Sequence, residues 1–466
     1  MPNISLYPLS IKEELQKQFV GKSIKDVAGP AAVLDLSKVQ NNCNRMLEAV
    51  ETLKFGWRAH IKTHKTTELT RLQVGSGAGP VNIMVSTVME AEHVAPLLLE
   101  YKGAGRAVNL LYAFPVTPSA VERLSLITKA LGSGGLSLMI DHPAQLSSAV
   151  AIYKSSSIAP QIFLKIDMGT HRAGVPPQTE ACAQLISSIL SLESSGTVEL
   201  LGLYAHAGQS YNSSNRADAL DLLRQEFESL LVTAQAVQSV SPNKDLVLSV
   251  GATPTTTSVR NLLIDNEDTP VEEAKAIASL RGTFQAIRDL KCSLEMHAGV
   301  YPTLDLQQLS THALPTEGPH AMLTWNDLAL TIVAELVSLY PGRGKDGSAE
   351  ALVGSGTLAL GREPCKAYSG WGIMTPWNRP EARMPISGPE KYVGWQVGRI
   401  SQEHGILVWN GQGITPEPLE VGQKVRIWPN HACIAGAGFG WYLIVDETRK
   451  GKEDEIIDVW PRWRGW

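Results

Sequence analysis

Trp57-Arg58-Ala59-His60-Ile61-Lys62 opens a series of short apolar segments, continued by Val81-Asn82-Ile83-Met84-Val85-Ser86, that recurs between longer amphipathic stretches as far as residue 297. Val, Ile and Leu dominate the segments, the alternation expected of strands and crossover helices. Eight strands are predicted, at Trp57–Lys62, Val81–Ser86, Ala107–Tyr112, Leu136–Asp141, Gln161–Asp167, Glu199–Ala205, Leu246–Gly251 and Ser293–His297. Eight such units in succession predict a (β/α)8 TIM-type barrel, an architecture that gathers its chemistry at the C-terminal ends of the strands. Lys62, Asp167, Tyr204 with His206, Gly251 and His297 all fall where a predicted strand runs out.

Beyond residue 300 the texture changes. Gly and Pro become frequent, and strand-like runs at Thr331–Leu336, Val393–Ile400, Gly405–Val408, Lys424–Trp428 and Trp441–Val445 predict a small antiparallel β domain. The expected organisation is an N-terminal segment over 1–40 that packs on the C-terminal domain, the barrel over 41–315, and the C-terminal β domain over 316–466. A chain of 466 residues is longer than one core usually organises, which agrees with two domains. Hydrophobic residues make up 44 %, charged residues 19 %, and the net charge is −5, the profile of an ordinary globular enzyme. Basic residues are scattered without interleaved aromatics, so no nucleic-acid partner is expected. Met1-Pro2-Asn3-Ile4 does not read as a leader, no apolar run is long enough for a membrane span, and a cytoplasmic location is expected. The five dispersed cysteines, odd in number, argue against a disulfide framework. Pro341–Ser348, Gly354-Ser355-Gly356 and Gly436-Ala437-Gly438 lack the spacing of phosphate or dinucleotide loops.

Lys62 stands among His60, His64 and Lys65, and neighbouring positive charge would lower its proton affinity toward what Schiff-base chemistry with an aldehyde cofactor needs. A solvated basic loop has the same composition. Gly251-Ala252-Thr253-Pro254-Thr255-Thr256-Thr257 could hold a phosphate on backbone amides and hydroxyls, or simply cap the next helix. Gly299, with Val300 beside it, is a companion position at which backbone could approach phosphate oxygens. His431 and Cys433 alternate, so on an extended strand both side chains would point to one face and could grip a zinc-like ion. A core cysteine beside a hydrogen-bonded histidine has the same spacing. Tyr204, His206 and Tyr211 near the sixth strand's end, and Asp167, Thr170 and Arg172 near the fifth's, could orient a cofactor ring or a substrate carboxylate; tyrosines at barrel rims also anchor loops.

Together, Arg58–Lys65, Asp167-Met168-Gly169-Thr170-His171-Arg172-Ala173-Gly174-Val175, Tyr204-Ala205-His206-Ala207-Gly208 and Pro429-Asn430-His431-Ala432-Cys433 resemble the D-serine dehydratase and D-threonine aldolase family, across nearly the whole chain. That family has the alanine racemase-like fold, a barrel that binds pyridoxal 5′-phosphate with a C-terminal β domain completing the site. The resemblance implies that Lys62 carries the cofactor as an imine, that Thr253, Thr255 and Gly299 lie at its phosphate, that Tyr204 and Tyr211 contact it, and that His431 and Cys433 hold zinc. It further implies a D-amino acid substrate and a homodimer. Cys433 favours the dehydratase branch, D-serine to pyruvate and ammonia, over the aldolase branch, which more often places an aspartate there. A non-catalytic pyridoxal phosphate carrier is the third possibility, and the long C-terminal domain argues against it. The chain departs from the family where His297-Ala298-Gly299-Val300 stands in place of an arginine-proline-glycine-asparagine run, and residues 258–291 read as an added surface helix.

Overall fold

The structure, a computed structural model, describes residues 7–264, 269–375, 377, 388–411 and 413–466. Asn266-Glu267-Asp268, part of the expected surface helix, and the opening residues 1–4 lie outside these. The chain divides into two compact units, one of Met1–Pro8, Arg45–Gly299 and Trp463–Trp466, the other of Leu9–Asn44 and Val300–Arg462. Residues 300–315, expected with the barrel, are thus grouped with the second unit, and the last four residues with the barrel.

Seventeen strands are described. β1 (Ala31–Asp35) precedes β2 (Gly56–His60), β3 (Val81–Val85), β4 (Val108–Pro115), β5 (Leu136–Ile140), β6 (Gln161–Lys165), β7 (Glu199–Ala205), β8 (Val247–Val250) and β9 (Ser293–Ala298). The last eight pair in parallel, each with its successor, and β9 closes on β2 with Arg58 opposite His297. Largely buried on both faces, these strands are rich in Val, Ile and Leu, which is why they are legible. Met84, Leu111, Met139, Phe163 and Tyr204 form an interior cluster. Close by is a polar layer: Arg58 forks onto Glu295 at 2.7 and 3.2 Å and donates to Asn109 at 2.6 Å, all three side chains buried. The helix Val271–Asp289, between β8 and β9, buries Leu280, Phe284 and Ile287, with Phe284 edge-on to Phe55 and Phe227. It is therefore an amphipathic crossover helix of the barrel rather than a surface addition.

The second unit holds β10 (Leu330–Tyr340), β11 (Glu350–Val353), β12 (Gly372–Thr375), β13 (Trp395–Ile400), β14 (Gly405–Trp409), β15 (Lys424–Pro429), β16 (Trp441–Val445) and β17 (Asp458–Pro461). With β1 they make one sheet in the order β11-β14-β13-β12-β15-β10-β1-β16-β17. The C-terminal strands pair antiparallel throughout, as expected, and β1, from the N-terminal segment, joins them antiparallel to β10 and parallel to β16. Five residues of near-continuous burial give β1 no period-two pattern to read. The N-terminal segment packs into the same unit: Leu15, Ile24 and Val27 share a core with Val33, Val333, Leu443 and Val459. Among the described residues no helix is long and apolar enough to cross a membrane, and none of the five cysteines is in a disulfide.

Candidate active site residues

At the C-terminal end of the barrel, Lys62 lies in the turn after β2 and is half-buried. The cationic cluster suggested by its neighbours is not one. Lys65 pairs with the buried Glu90 at 2.8 Å, and His64 is buried between Thr66 and Gln73 at 3.1 and 2.8 Å. His60 is held well below the ordinary imidazole range, first by burial and then by the charge of Lys62. Its Nδ1–H donates to the Met84 carbonyl at 3.1 Å.

β7 delivers the buried Tyr204 and, just past its end, His206, whose Nδ1–H donates to the Gly251 carbonyl at 2.6 Å. Burial, then the charges of Arg172 and Lys62, keep His206 neutral. The Tyr204 ring stacks on His297 at 4.4 Å, and burial raises its phenol. Tyr211 is half-buried in the 3-10 turn Gly208–Asn212. Arg172 is exposed, while Asp167 takes the amides of Gly169 and His171 at 3.0 Å each. Thr170 Oγ1 donates to the His206 carbonyl at 3.1 Å, tying the loop after β6 to that after β7.

The turn after β8 depends on Gly251. Its φ of +147° is one few side chains adopt, and an added Cβ would lie 2.1 Å from the His297 carbonyl oxygen and 2.2 Å from Thr256 Oγ1. Thr253 begins the short helix that follows and is buried. Thr255 is buried too, and its hydroxyl accepts from the Ala252 amide at 3.0 Å, so it braces the turn instead of presenting a free donor. At Gly299 a Cβ would press on the His60 carbonyl at 3.3 Å and on Thr63 Oγ1 at 3.4 Å.

Two groups absent from the sequence reading complete this region. Lys165, at the end of β6, is 7 % exposed with Nζ 4.6 Å from the Tyr204 ring centre. Burial and then Arg172 lower it to about 8. Glu226, on the helix Arg216–Val240, accepts the Ala207 amide at 2.7 Å and is raised by burial to about 8. A charge inside an apolar strand run and a carboxylate on the apolar face of an amphipathic helix were the available signals.

In the second unit β15 stops at Pro429, earlier than the reading of an extended His-x-Cys strand requires. His431 is an extended N-cap and Cys433 lies in the first turn of the helix Ala432–Ala437, whose three alanines favour helix over strand. A cap geometry, not strand alternation, brings the pair together. Asp305 is buried against this turn and takes the Ala432 amide at 2.9 Å. Gln307 Nε2 donates to the Pro364 carbonyl at 2.7 Å, which turns its oxygen toward His431 Nδ1 at 2.6 Å. An amide oxygen only accepts, so Nδ1 carries a proton, and Nε2 is the nitrogen whose deprotonation would free a lone pair for a metal. Burial lowers the imidazole, yet Cys433 and Asp305 outweigh it and raise His431 to about 9. Val300, buried in this unit, accepts the Thr303 and Leu304 amides at 3.0 and 2.9 Å on its carbonyl. Among the described residues no group of three His, Cys, Asp or Glu side chains is placed to hold a metal ion.

Residues 34–265 match the alanine racemase N-terminal domain model and residues 329–445 the putative serine dehydratase domain model. D-serine dehydratase of Schizosaccharomyces pombe is 38 % identical over 462 residues, covering 98 % of this chain and 96 % of the relative. The chain belongs to the D-serine dehydratase family. The D-serine dehydratase of Saccharomyces cerevisiae is 31 % identical, covering 97 % of this chain and all of the relative. The fold recurs in D-threo-3-hydroxyaspartate dehydratase from Delftia sp. HT23, with a TM-score of 0.70, 25 % identity and 96 % of this chain covered against 100 % of that one. The fold is thus the alanine racemase-like barrel with a β domain.

Proposed function

We propose that the protein is a lyase converting D-serine to pyruvate and ammonia, with pyridoxal 5′-phosphate held by the barrel unit and zinc by the second unit. The observation that carries this reading is the His431–Cys433 pair: one imidazole with its Nδ1–H fixed on Gln307 and, beside it, a cysteine that is in no disulfide, in a chain 38 % identical throughout to a D-serine dehydratase. Two soft donors leave positions for water and substrate, which suits a catalytic ion better than a closed structural one.

Lys62 would anchor the cofactor, with Thr253, Gly299 and Val300 at its phosphate and Tyr204, Tyr211, His206 and Arg172 around its ring and the substrate carboxylate. Gly251 and Gly299 shape the loops that would form this site, since a Cβ would collide with the His297 carbonyl and Thr256 Oγ1 at the first and press on the His60 carbonyl and Thr63 Oγ1 at the second. Thr255 fits less directly; it shapes the turn. When bound, the cofactor supplies an electron sink for charge at the α-carbon and the metal a Lewis acid for the β-hydroxyl. Lys62 Nζ takes the α-proton, with the neutral His60 beside it adding no charge of its own. Water leaves, and the enamine that remains hydrolyses to pyruvate and ammonia. The proposed assembly is a homodimer.

Incubating the purified protein with D-serine and D-threonine tests the reading. Pyruvate from D-serine is expected. Glycine from D-threonine with no pyruvate would make it an aldolase, and neither product, with no zinc by elemental analysis, a carrier.

A further inference from the structure

His297 stands where the family resemblance leads one to expect arginine, and its surroundings give that departure a use. The side chain is 1 % exposed, and among the described residues its Nε2 has no hydrogen-bond partner. Its Nδ1 lies 3.1 Å from Ser249 Oγ, and the same hydroxyl donates to Glu295 Oε1 at 2.7 Å. A serine has one proton. Spent on a carboxylate forked by Arg58, it leaves the oxygen to accept from His297, so Nδ1 carries the imidazole proton and Nε2 a bare lone pair.

Direction follows from register. Glu295 precedes His297 by two residues on β9, and Ser249 is Glu295's partner on β8, so both lie one layer deeper in the barrel. With Nδ1 turned down to that layer, Nε2 faces the C-terminal end, where ligands of such barrels bind. Tyr204 stacks on the ring at 4.4 Å and holds its plane. Burial, with His206, His60 and Lys165 nearby, keeps the imidazole neutral.

We infer that His297 Nε2 accepts a hydrogen bond from the protonated ring nitrogen of the cofactor, with Ser249 and Glu295 fixing the tautomer that makes it an acceptor. The inference rests on the barrel binding a pyridine-type cofactor, as proposed above. An arginine here could only donate, and would disfavour a protonated ring nitrogen; an acceptor favours it, which strengthens the electron sink an elimination needs.

The test uses the full chain loaded with pyridoxal 5′-phosphate carrying 15N at the ring nitrogen, read by proton–nitrogen correlation and by cofactor titration. Wild type should show a ring N–H cross-peak. His297→Phe, which keeps the stack on Tyr204, should lose it and bind the cofactor about tenfold or more weakly. His297→Gln, with an acceptor oxygen, should restore it, and His297→Arg should not. Ser249→Ala, which frees the tautomer, should weaken the cross-peak and keeps the test decisive should His297→Phe fail to fold. A cross-peak unchanged in folded His297→Phe or in Ser249→Ala overturns the inference alone. Wild type that takes up no cofactor overturns the underlying reading as well.

Discussion

The same side chain meets opposite fates in the two units. At the barrel end His60, His206 and His297 are all driven well below the ordinary imidazole range, burial and positive neighbours such as Lys62, Lys165 and Arg172 acting together. In the turn after β15 His431 is partly buried, and there Cys433, Asp305 and Glu363 outweigh burial and raise it to about 9. In each place Nδ1 is committed, to Met84 O, Gly251 O, Ser249 Oγ and Gln307 Oε1 respectively. An Nδ1–H held by an acceptor is therefore common to both regions, and the sign of the surrounding charge distinguishes them. A cationic mouth suits a phosphorylated, carboxylate-bearing ligand, and an anionic turn suits a metal ion.

The contrast is broken most severely by removing the amine around which the cationic mouth is arranged. Lys62→Ala should lower pyruvate formation by about 10³-fold or more, the order of a lost general base that also anchors the cofactor. Borohydride reduction followed by peptide mass analysis should label Lys62 in wild type and nothing in the variant. Next in size is the charge beneath. Glu295→Ala strands Arg58, which is 1 % exposed, without its fork and should lower unfolding free energy by about 3–5 kcal/mol. Denaturant titration measures it, and a loss under about 1 kcal/mol would mean that the buried guanidinium finds other acceptors.

On the anionic side the expected effects are smaller. Gln307→Leu leaves His431 and Cys433 in place but releases Nδ1, and zinc affinity should fall about 10- to 100-fold by competition with a chelator. Equal affinity would show that Asp305, 3.7 Å from Nδ1, orients the ring instead.

What could be read in advance follows the same divide. The barrel was legible because most of its strands are short, largely buried and rich in Val, Ile and Leu, so its ends, and Lys62, Tyr204, His206 and Gly251 with them, could be placed by counting. Val81–Val85 and Leu136–Ile140 are instances. His431 and Cys433 of the second unit stand out as a pair because they are two residues apart, but their geometry was not legible. Whether His-x-Cys lies on a strand or caps a helix depends on the alanines Ala432, Ala435 and Ala437, and on Asp305 at the Ala432 amide, more than a hundred residues earlier. Lys165, Glu226 and Ser249 were hidden for another reason. A lone polar residue in an apolar run carries meaning only once its neighbours on other strands are known. β1 was hidden by brevity, and 258–291 was misjudged because an amphipathic crossover helix and an added surface helix share one periodicity until a core is supplied.

Glu226 offers the mildest test and the one that reads the barrel's electrostatics most directly. Burial raises it from 4.5 to about 8 in the folded chain, against the opposing pull of Thr255, the Ala207 and Gly251 amides and Lys165. Between those values the folded state keeps a proton that the unfolded state has released. Stability must then fall as pH rises from about 4.5 to about 8 and level off above, since both states are ionised there. Glu226→Gln has no proton to lose but keeps an oxygen for the Ala207 amide at the same place. The difference in melting temperature between Glu226→Gln and wild type should therefore grow in the variant's favour across that window and be flat beyond it. A difference independent of pH would mean that the carboxylate is already ionised at the low end, held by Lys165, and that the cationic character of the barrel mouth reaches a layer deeper than its imidazoles.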